Sequence, residues 1–196
     1  MKPTNPTNPI EKFKESLGRA EAAGITLPNA MALATADKNG NPSVRMMLLK
    51  GVDERGFRFY THLESRKGRE LLAHPLASLC FWWPALEEQV RIEGPIKPVR
   101  TDEADAYFAT RPRGSQIAAW ASLQSESLRS REALTTAVEK IRKRYGGKKI
   151  PRPPFWSGFI LIPERIEFWF NRTDRLHERI LYTRRGKDWT SELLYP

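Results

Sequence analysis

AMALATADKNGNPSVRMMLLKGVDERGFRFYT, residues 30–61, contains three apolar runs separated by turn signals. AMALATA reads as a strand. Asn39-Gly40 is the strongest short hairpin signal a sequence offers, and SVRMMLLKG supplies the returning strand. DERG then turns the chain into FRFYT. Towards the N-terminus, residues 1–8 read as a flexible arm. A helix is expected from about Asn8, with Pro9 in its first turn, Phe13 and Leu17 one turn apart on one face, and Gly24 as its stop. Towards the C-terminus, Ser65 is the expected N-cap of RKGRELLAH, followed by the strands ASLCFWW and QVRIEGPIK around a PALEE turn. Thr101 is the expected cap of a helix whose first turn carries Asp102, Glu103 and Asp105, as the dipole prefers. Leu134, Val138, Ile141 and Tyr145 predict a second helix, ended by Gly146-Gly147 and PRPP. SGFILI, RIEFWFN, ERILYTR and WTSELL return to strands. Neither an internal repeat nor a linker between two cores is visible, so residues 1–196 read as a single domain. The class is mostly β, an antiparallel β-barrel with covering helices rather than a βαβ sheet.

Composition narrows the function classes. With 40% apolar and 29% charged residues, the 196-residue chain has a globular balance that argues against disorder. The single cysteine, Cys80, excludes a CxxC motif, and within SLCFWW it is expected to be a small buried hydrophobe. No apolar stretch approaches the roughly 20 residues of a membrane helix, and the polar, Pro-rich start lacks a signal-peptide core. A soluble, cytoplasmic setting without membrane association is expected. The net charge of +10 is mostly local: seven basic and no acidic residues lie between Lys140 and Arg152. That run reads as a solvated helix end; without interleaved aromatics it does not argue for nucleic acid. No GxGxxG or Walker A loop is present. His62, His74 and His177 have no metal-ligand spacing, so no metal site is expected.

Several cations do sit where phosphate is usually held. Ser65-Arg66-Lys67 combines a hydroxyl, free helix N-terminal amides and two cations, a set suited to a dianionic phosphate. Tyr107, Arg111 and Ser115 are spaced i, i+4, i+8. Pro112 is expected to end their helix, so that Ser115 opens the next one and the three side chains bind another phosphate; a surface helix and its cap would share that spacing. Arg45 and Lys50 end the run RMMLLK, which by itself reads as a buried strand with snorkelling ends. In FWFNRTDRLHER, Trp169 offers a flat apolar face. Arg175, His177 and Arg179 alternate on what reads as an extended segment, so all three could line one pocket. Burying three such groups without an anionic ligand would be costly.

Taken in order, RMMLLK at 45, FYT at 59, SRKGRE at 65, QVRIEG at 89, YFATRPRGSQIAAWAS at 107, QS at 124, PPFWSGF at 153, IEFWFNRTDRLHER at 166 and the closing LLYP resemble the pyridoxine/pyridoxamine 5′-phosphate oxidase family. The resemblance covers about Ala30 to Pro196 and implies a homodimeric FMN-binding split β-barrel, with two flavins at the subunit interface. The flavin contacts it implies are Arg45, Met46, Met47, Leu48, Leu49 and Lys50 on one strand, Tyr60 and Thr61 on the next, and Arg66 and Lys67. Gln89, Gln124, Ser125, Trp169 and Arg179 complete them. Lys50, Tyr107, Arg111 and Ser115 would meet the phosphate of a vitamin B6 substrate. Arg175, Leu176 and His177 would lie against its pyridine ring, Arg175 and His177 as catalytic residues.

The reaction implied is oxidation at C4′ of pyridoxamine or pyridoxine 5′-phosphate to pyridoxal 5′-phosphate, by hydride transfer to FMN. Dioxygen is the electron acceptor and hydrogen peroxide a product, with ammonia released from the amine. The sequence departs from the family pattern in three places: KPTNPTNPIEKF lacks the usual Arg and Tyr of the N-terminal segment, and WSG and WFN stand where WGG and WQG are usual. The rival readings are a related flavin oxidase of phenazine-type biosynthesis and a non-catalytic flavin-binding protein.

Overall fold

The computed structural model describes residues 8–196. The arm expected over residues 1–8 therefore lies outside the described residues, apart from Asn8, which has a definite role. Its side-chain oxygen accepts a hydrogen bond from the Ile10 amide at 3.0 Å and caps helix α1 (Pro9–Ala22). Gly24, at φ +69°, follows its C-cap. Phe13 is completely buried and meets Phe57 and Phe81 edge-on, with ring centroids 4.9 Å apart in each case. On the same helix, Ser16 Oγ and Arg19 Nη2 donate to the buried Glu88 carboxylate at 2.6 and 2.5 Å, so this buried charge is not left alone. Phe13→Ala is expected to cost about 3–5 kcal/mol in urea unfolding, the range for emptying a buried aromatic site. A loss below about 1 kcal/mol would mean the helix does not plug the core.

Strands β1 (Ala30–Ala36) and β2 (Pro42–Leu48) form the expected hairpin. The connection is longer than a two-residue turn: Asp37 Oδ1 accepts from the Asn39 and Asn41 amides at 2.8 and 3.0 Å. There follow β3 (Gly51–Asp53), β4 (Gly56–His62), α2 (Arg66–Ala73), β5 (Leu76–Trp83) and β6 (Glu88–Pro98). Three helices come next, α3 (Thr101–Thr110), α4 (Arg113–Ala121) and α5 (Arg131–Tyr145), and then β7 (Trp156–Leu161), β8 (Arg165–Phe170), β9 (Glu178–Arg185) and β10 (Asp188–Leu194). The strand pairings are antiparallel. One row runs β10-β9-β8-β6-β5-β1-β2. The end of β6 leaves that row: Ile96–Pro98 pair with β7, which pairs with β4, which pairs with β3. Sharing β6 curls the sheet into a split barrel. At the bend, a Cβ on Gly94 would lie 2.0 Å from the Ile162 carbonyl oxygen, so only glycine lets the two segments approach.

The inner face of the long row buries Leu33, Leu79, Phe81, Val90, Ile92, Ile166 and Phe168 around Phe13. A second apolar cluster, Phe108, Ile117, Ile150 and Trp156, joins α3–α5 to the barrel. The basic run after Lys140 is the exposed C-terminal end of α5 and the loop beyond it, except that Arg152 turns in to Asp105 and the Trp156 carbonyl, each at 2.6 Å.

Three expectations are corrected. Cys80 is half-buried rather than buried, because strand alternation sends Leu79 and Phe81 into the core and turns Cys80 outward. Thr101 is not a cap but the first helical residue of α3. Arg100, the last extended residue, occupies the N-cap position and binds the Asp102 carboxylate at 2.8 and 3.0 Å instead. Residues 175–179 are not one extended run: Thr173–Arg175 form a 3-10 turn with Asp174 and Arg175 at φ +54° and +61°, and strand geometry begins at Glu178.

Candidate anion-binding cleft

A cleft of about 460 Å³ opens where the end of β2, the end of β4 and the start of α2 meet the α3–α4 corner. Met46, Met47, Leu48 and Lys50 border it on one side and Tyr60, Thr61 and His62 on another. Lys67, Gln124, Tyr107, Arg111 and Ser115 complete its polar lining, with Trp156 beneath. Three of the lining residues are cations and none is a carboxylate.

Each group is placed by local structure. Period-2 alternation puts Tyr60 and His62 on the same side of β4. Tyr60 stacks on Tyr107 at 4.0 Å and on Trp156 at 5.4 Å, with near-parallel rings. The Arg111 guanidinium lies 4.7 Å over the Trp156 ring, a cation–π contact. Pro112 separates α3 from α4, and Gln116 Nε2 locks the corner by donating to the Phe108 and Ala109 carbonyls. Ser115 therefore sits in the first turn of α4 rather than opening it, and its amide is already used by the Pro112 carbonyl at 2.8 Å. Its hydroxyl remains for a ligand.

The electrostatics of the lining favour an anion. Arg111 Nη1 is buried with no hydrogen-bond partner among the described residues, and burial pushes the guanidinium below its ordinary range. Lys67 is buried, with Nζ 2.7 Å from Gln124 Oε1 and 3.4 Å from Ser65 Oγ. Burial, and then the Arg45 charge nearby, push its pKa down to about 8. His62 Nδ1 accepts from the Glu64 amide at 3.2 Å, which leaves the proton of the neutral ring on Nε2, buried and without a partner among the described residues. Burial also lowers the pKa of His62. His62 lies in none of the motifs quoted above, and its signal is alternation two residues after Tyr60; Trp156 lies within PPFWSGF but was not among the candidate contacts.

Other sequence-derived candidates lie outside the cleft lining. Leu49 is in the core. Arg45 turns inward: Nη1 donates to Thr35 Oγ1 and the Leu33 carbonyl, Nη2 to Ser43 Oγ and Glu70 Oε2. Arg66 is exposed and paired with Glu70. Ser125 follows Gln124 at φ +76°. A second group lies on the outward face of the long sheet row. There Trp82, Gln89, Trp169 and Arg179 are successive cross-strand neighbours. Arg179 is held by Glu167 Oε1 at 2.8 Å and the Tyr195 carbonyl at 2.9 Å. His177 packs on Trp169 at 4.5 Å between ring centroids, and its Nδ1 accepts from the Arg172 amide at 3.3 Å. Arg175 and Leu176 are exposed beside it.

Comparison with known proteins gives a consistent picture. Residues 17–145 match the family described as pyridoxamine 5′-phosphate oxidase, and residues 156–196 match the pyridoxine 5′-phosphate oxidase C-terminal dimerisation region. A pyridoxine/pyridoxamine 5′-phosphate oxidase of Anaeromyxobacter dehalogenans is 53% identical over 196 residues, covering 100% of this chain and 99% of the relative. That of Myxococcus xanthus is 52% identical over 191 residues, covering 97% and 93%. Among solved structures, PhzG from Burkholderia lata in complex with tetrahydrophenazine-1-carboxylic acid superposes with a TM-score of 0.92 at 38% identity, covering 97% of this chain and 94% of that one.

Proposed function

Because the chain belongs to the pyridoxamine 5′-phosphate oxidase family, we propose that it is an FMN-dependent oxidase of pyridoxamine and pyridoxine 5′-phosphates. Pyridoxal 5′-phosphate and hydrogen peroxide are the products, with ammonia from the amine and dioxygen as acceptor. The observation that carries this reading is the cleft with three cations and no carboxylate, in which Arg111 Nη1 is buried and unpartnered. A guanidinium nitrogen buried without a partner costs stability, and an anion bound in the cleft offsets that cost. The ligands proposed here bring two phosphates and two flat heterocycles, which fit cations at both ends and an apolar strand edge between them.

Lys50, the Tyr107 and Ser115 hydroxyls and Arg111 hold the substrate phosphate. Lys67, Arg66, Tyr60, Thr61, Gln124, Ser125 and the strand segment Arg45–Lys50 hold the flavin. When bound, the flavin supplies the two-electron acceptor that dioxygen later restores. The outward group, Gln89, Trp169, Arg175, Leu176, His177 and Arg179, completes the site from a second copy of the chain. In support, this sheet face leaves Val44, Met46 and Trp82 half or more exposed, an apolar surface suited to a homodimer. His177, its Nδ1 accepting from a backbone amide, keeps a proton on Nε2 to donate near the reacting end of the substrate. Arg175 steers the ring.

The test is peroxide yield from flavin-loaded protein with each phosphorylated B6 vitamer. Turnover of pyridoxamine 5′-phosphate but not of unphosphorylated pyridoxamine supports the reading; a colourless protein that takes up no flavin overturns it. The likeness to PhzG favours one second reading, oxidation of a carboxylated tricycle, and peroxide formed only with tetrahydrophenazine-1-carboxylic acid would select it. Replacing Arg175 with Met is expected to lower turnover on the order of 100-fold through lost orientation, with flavin absorbance retained after dialysis. Equal loss of both would reassign Arg175 to flavin binding.

A further inference from the structure

We propose that Glu70 is a positioning residue of the flavin phosphate site, its carboxylate holding the Arg66 guanidinium by one edge so that the other edge is ready for the phosphate. The inference rests on the flavin reading above. Glu70 lies in the second half of α2, is 5% exposed, and divides its two oxygens between two tasks. Oε2 is fixed from the sheet: Thr35 Oγ1 on β1 donates at 2.5 Å, Ser43 Oγ on β2 at 2.7 Å and Arg45 Nη2 at 3.2 Å. Among the described residues, Oε1 accepts only from Arg66 Nε, at 2.8 Å and one helical turn away. Both terminal nitrogens of Arg66 have no partner among the described residues, so the guanidinium keeps the two-pronged face that matches a phosphate.

Glu70 also sets the local charge. Arg45, Arg66 and Lys67 gather around this one carboxylate, since Arg45 and Arg66 bond to it and the Lys67 ammonium feels both Arg45 and Glu70. Three cations and one carboxylate leave two net positive charges, the complement of a phosphate dianion. An exposed i, i+4 ion pair on its own is weak and mobile. Here the carboxylate is buried and held by three further donors, so Arg66 pairs with a fixed point and loses less freedom when it binds. The same network ties α2 to β2, the strand whose next residues, Met46–Leu48, border the cleft. The phosphate end and the ring end of the flavin are thereby held in one frame.

Coulomb's law and positioning predict opposite signs for Glu70→Gln. Removing a negative charge beside an anion site strengthens anion binding if charge is all that matters. If the carboxylate positions Arg66, the amide leaves that arginine loose and FMN binding weakens. The experiment titrates FMN and riboflavin, which lacks the phosphate, into flavin-free wild-type and E70Q protein and follows fluorescence quenching. The expected result is an FMN Kd raised about tenfold with riboflavin unchanged, and no further loss when E70Q is added to Arg66→Ala. Equal weakening of both flavins would overturn the inference in favour of a structural role; unchanged or tighter FMN binding would overturn it in favour of simple repulsion. If E70Q does not fold, Glu70→Asp, which keeps the charge but shortens the reach, carries the same expectations. Wild-type protein that binds neither flavin would overturn the functional reading itself, an outcome distinct from the other two.

Discussion

Arg111→Met is expected to lower kcat/KM for pyridoxamine 5′-phosphate by about 100-fold or more while leaving the melting temperature unchanged or higher. The two signs have one cause. The guanidinium is half-buried over Trp156, with Nη1 lacking any partner among the described residues and no carboxylate along the cleft. Desolvation without a counter-charge makes it a cost to folding, and an apolar side chain of similar length relieves that cost while keeping contact with the ring. The bound substrate loses a charge-assisted pair in a poorly solvated site, an effect of about 2–5 kcal/mol. Steady-state kinetics with peroxide detection and a thermal melt on the same sample check both. A variant that melts several degrees lower with unchanged kcat/KM would show that Arg111 serves packing rather than binding. Raised KM with kcat intact is the expected division, because the phosphate lies away from the reacting carbon.

FMN affinity is expected to be flat between about pH 7 and 8, where the phosphate is already a dianion, and to weaken by up to tenfold per pH unit above that. The origin is Lys67, whose pKa burial lowers from 10.5 to about 8. A phosphate dianion requires the ammonium, so above pH 8 binding must take up a proton that the free protein has lost. Stability has the opposite sense. Between about 8 and 10.5 the unfolded chain holds this proton more firmly than the folded one, so the Lys67 contribution makes the flavin-free protein more stable as pH rises through that window. Lys67→Met should remove the alkaline limb and weaken FMN by about 100-fold at neutral pH, as loss of a buried charge partner implies. Flavin fluorescence titrations from pH 6 to 10 check it. An alkaline limb that persists in Lys67→Met would assign the titration to another group.

Much of the barrel was legible because strand patterns and turns are local. Residues 30–61 carry their own alternation and turn residues, and the hairpin forms where they indicate. Asn8 and Ser65 cap their helices because a short polar side chain ahead of an apolar periodic run has few better partners than the free amides. Thr101 failed as a cap because the chain stays extended through Val99 and Arg100, whose side chain takes Asp102 first. The spacing of Arg175, His177 and Arg179 suited a strand, but Asp174 and Arg175 adopt positive φ, which no short pattern announces.

The candidate cleft divides in the same way. Its residue types were readable, since a hydroxyl and two cations at a helix start, or a phenol and a guanidinium one turn apart, are sequence-local. Which cations stay unpaired was not. Arg45 meets Glu70 across 25 residues and Arg179 meets Glu167 across 12, whereas Arg111 finds an aromatic face and no acid.

Secondary structure, turns and the kinds of charged group on offer followed from the amino-acid order alone, because they depend on neighbours a few positions apart. Which of those charges were neutralised inside the fold, and which were left facing a cleft, came only with the packing of β4, α2 and the α3–α4 corner. Charge pairing depends on distance in space, and only the folded chain sets those distances.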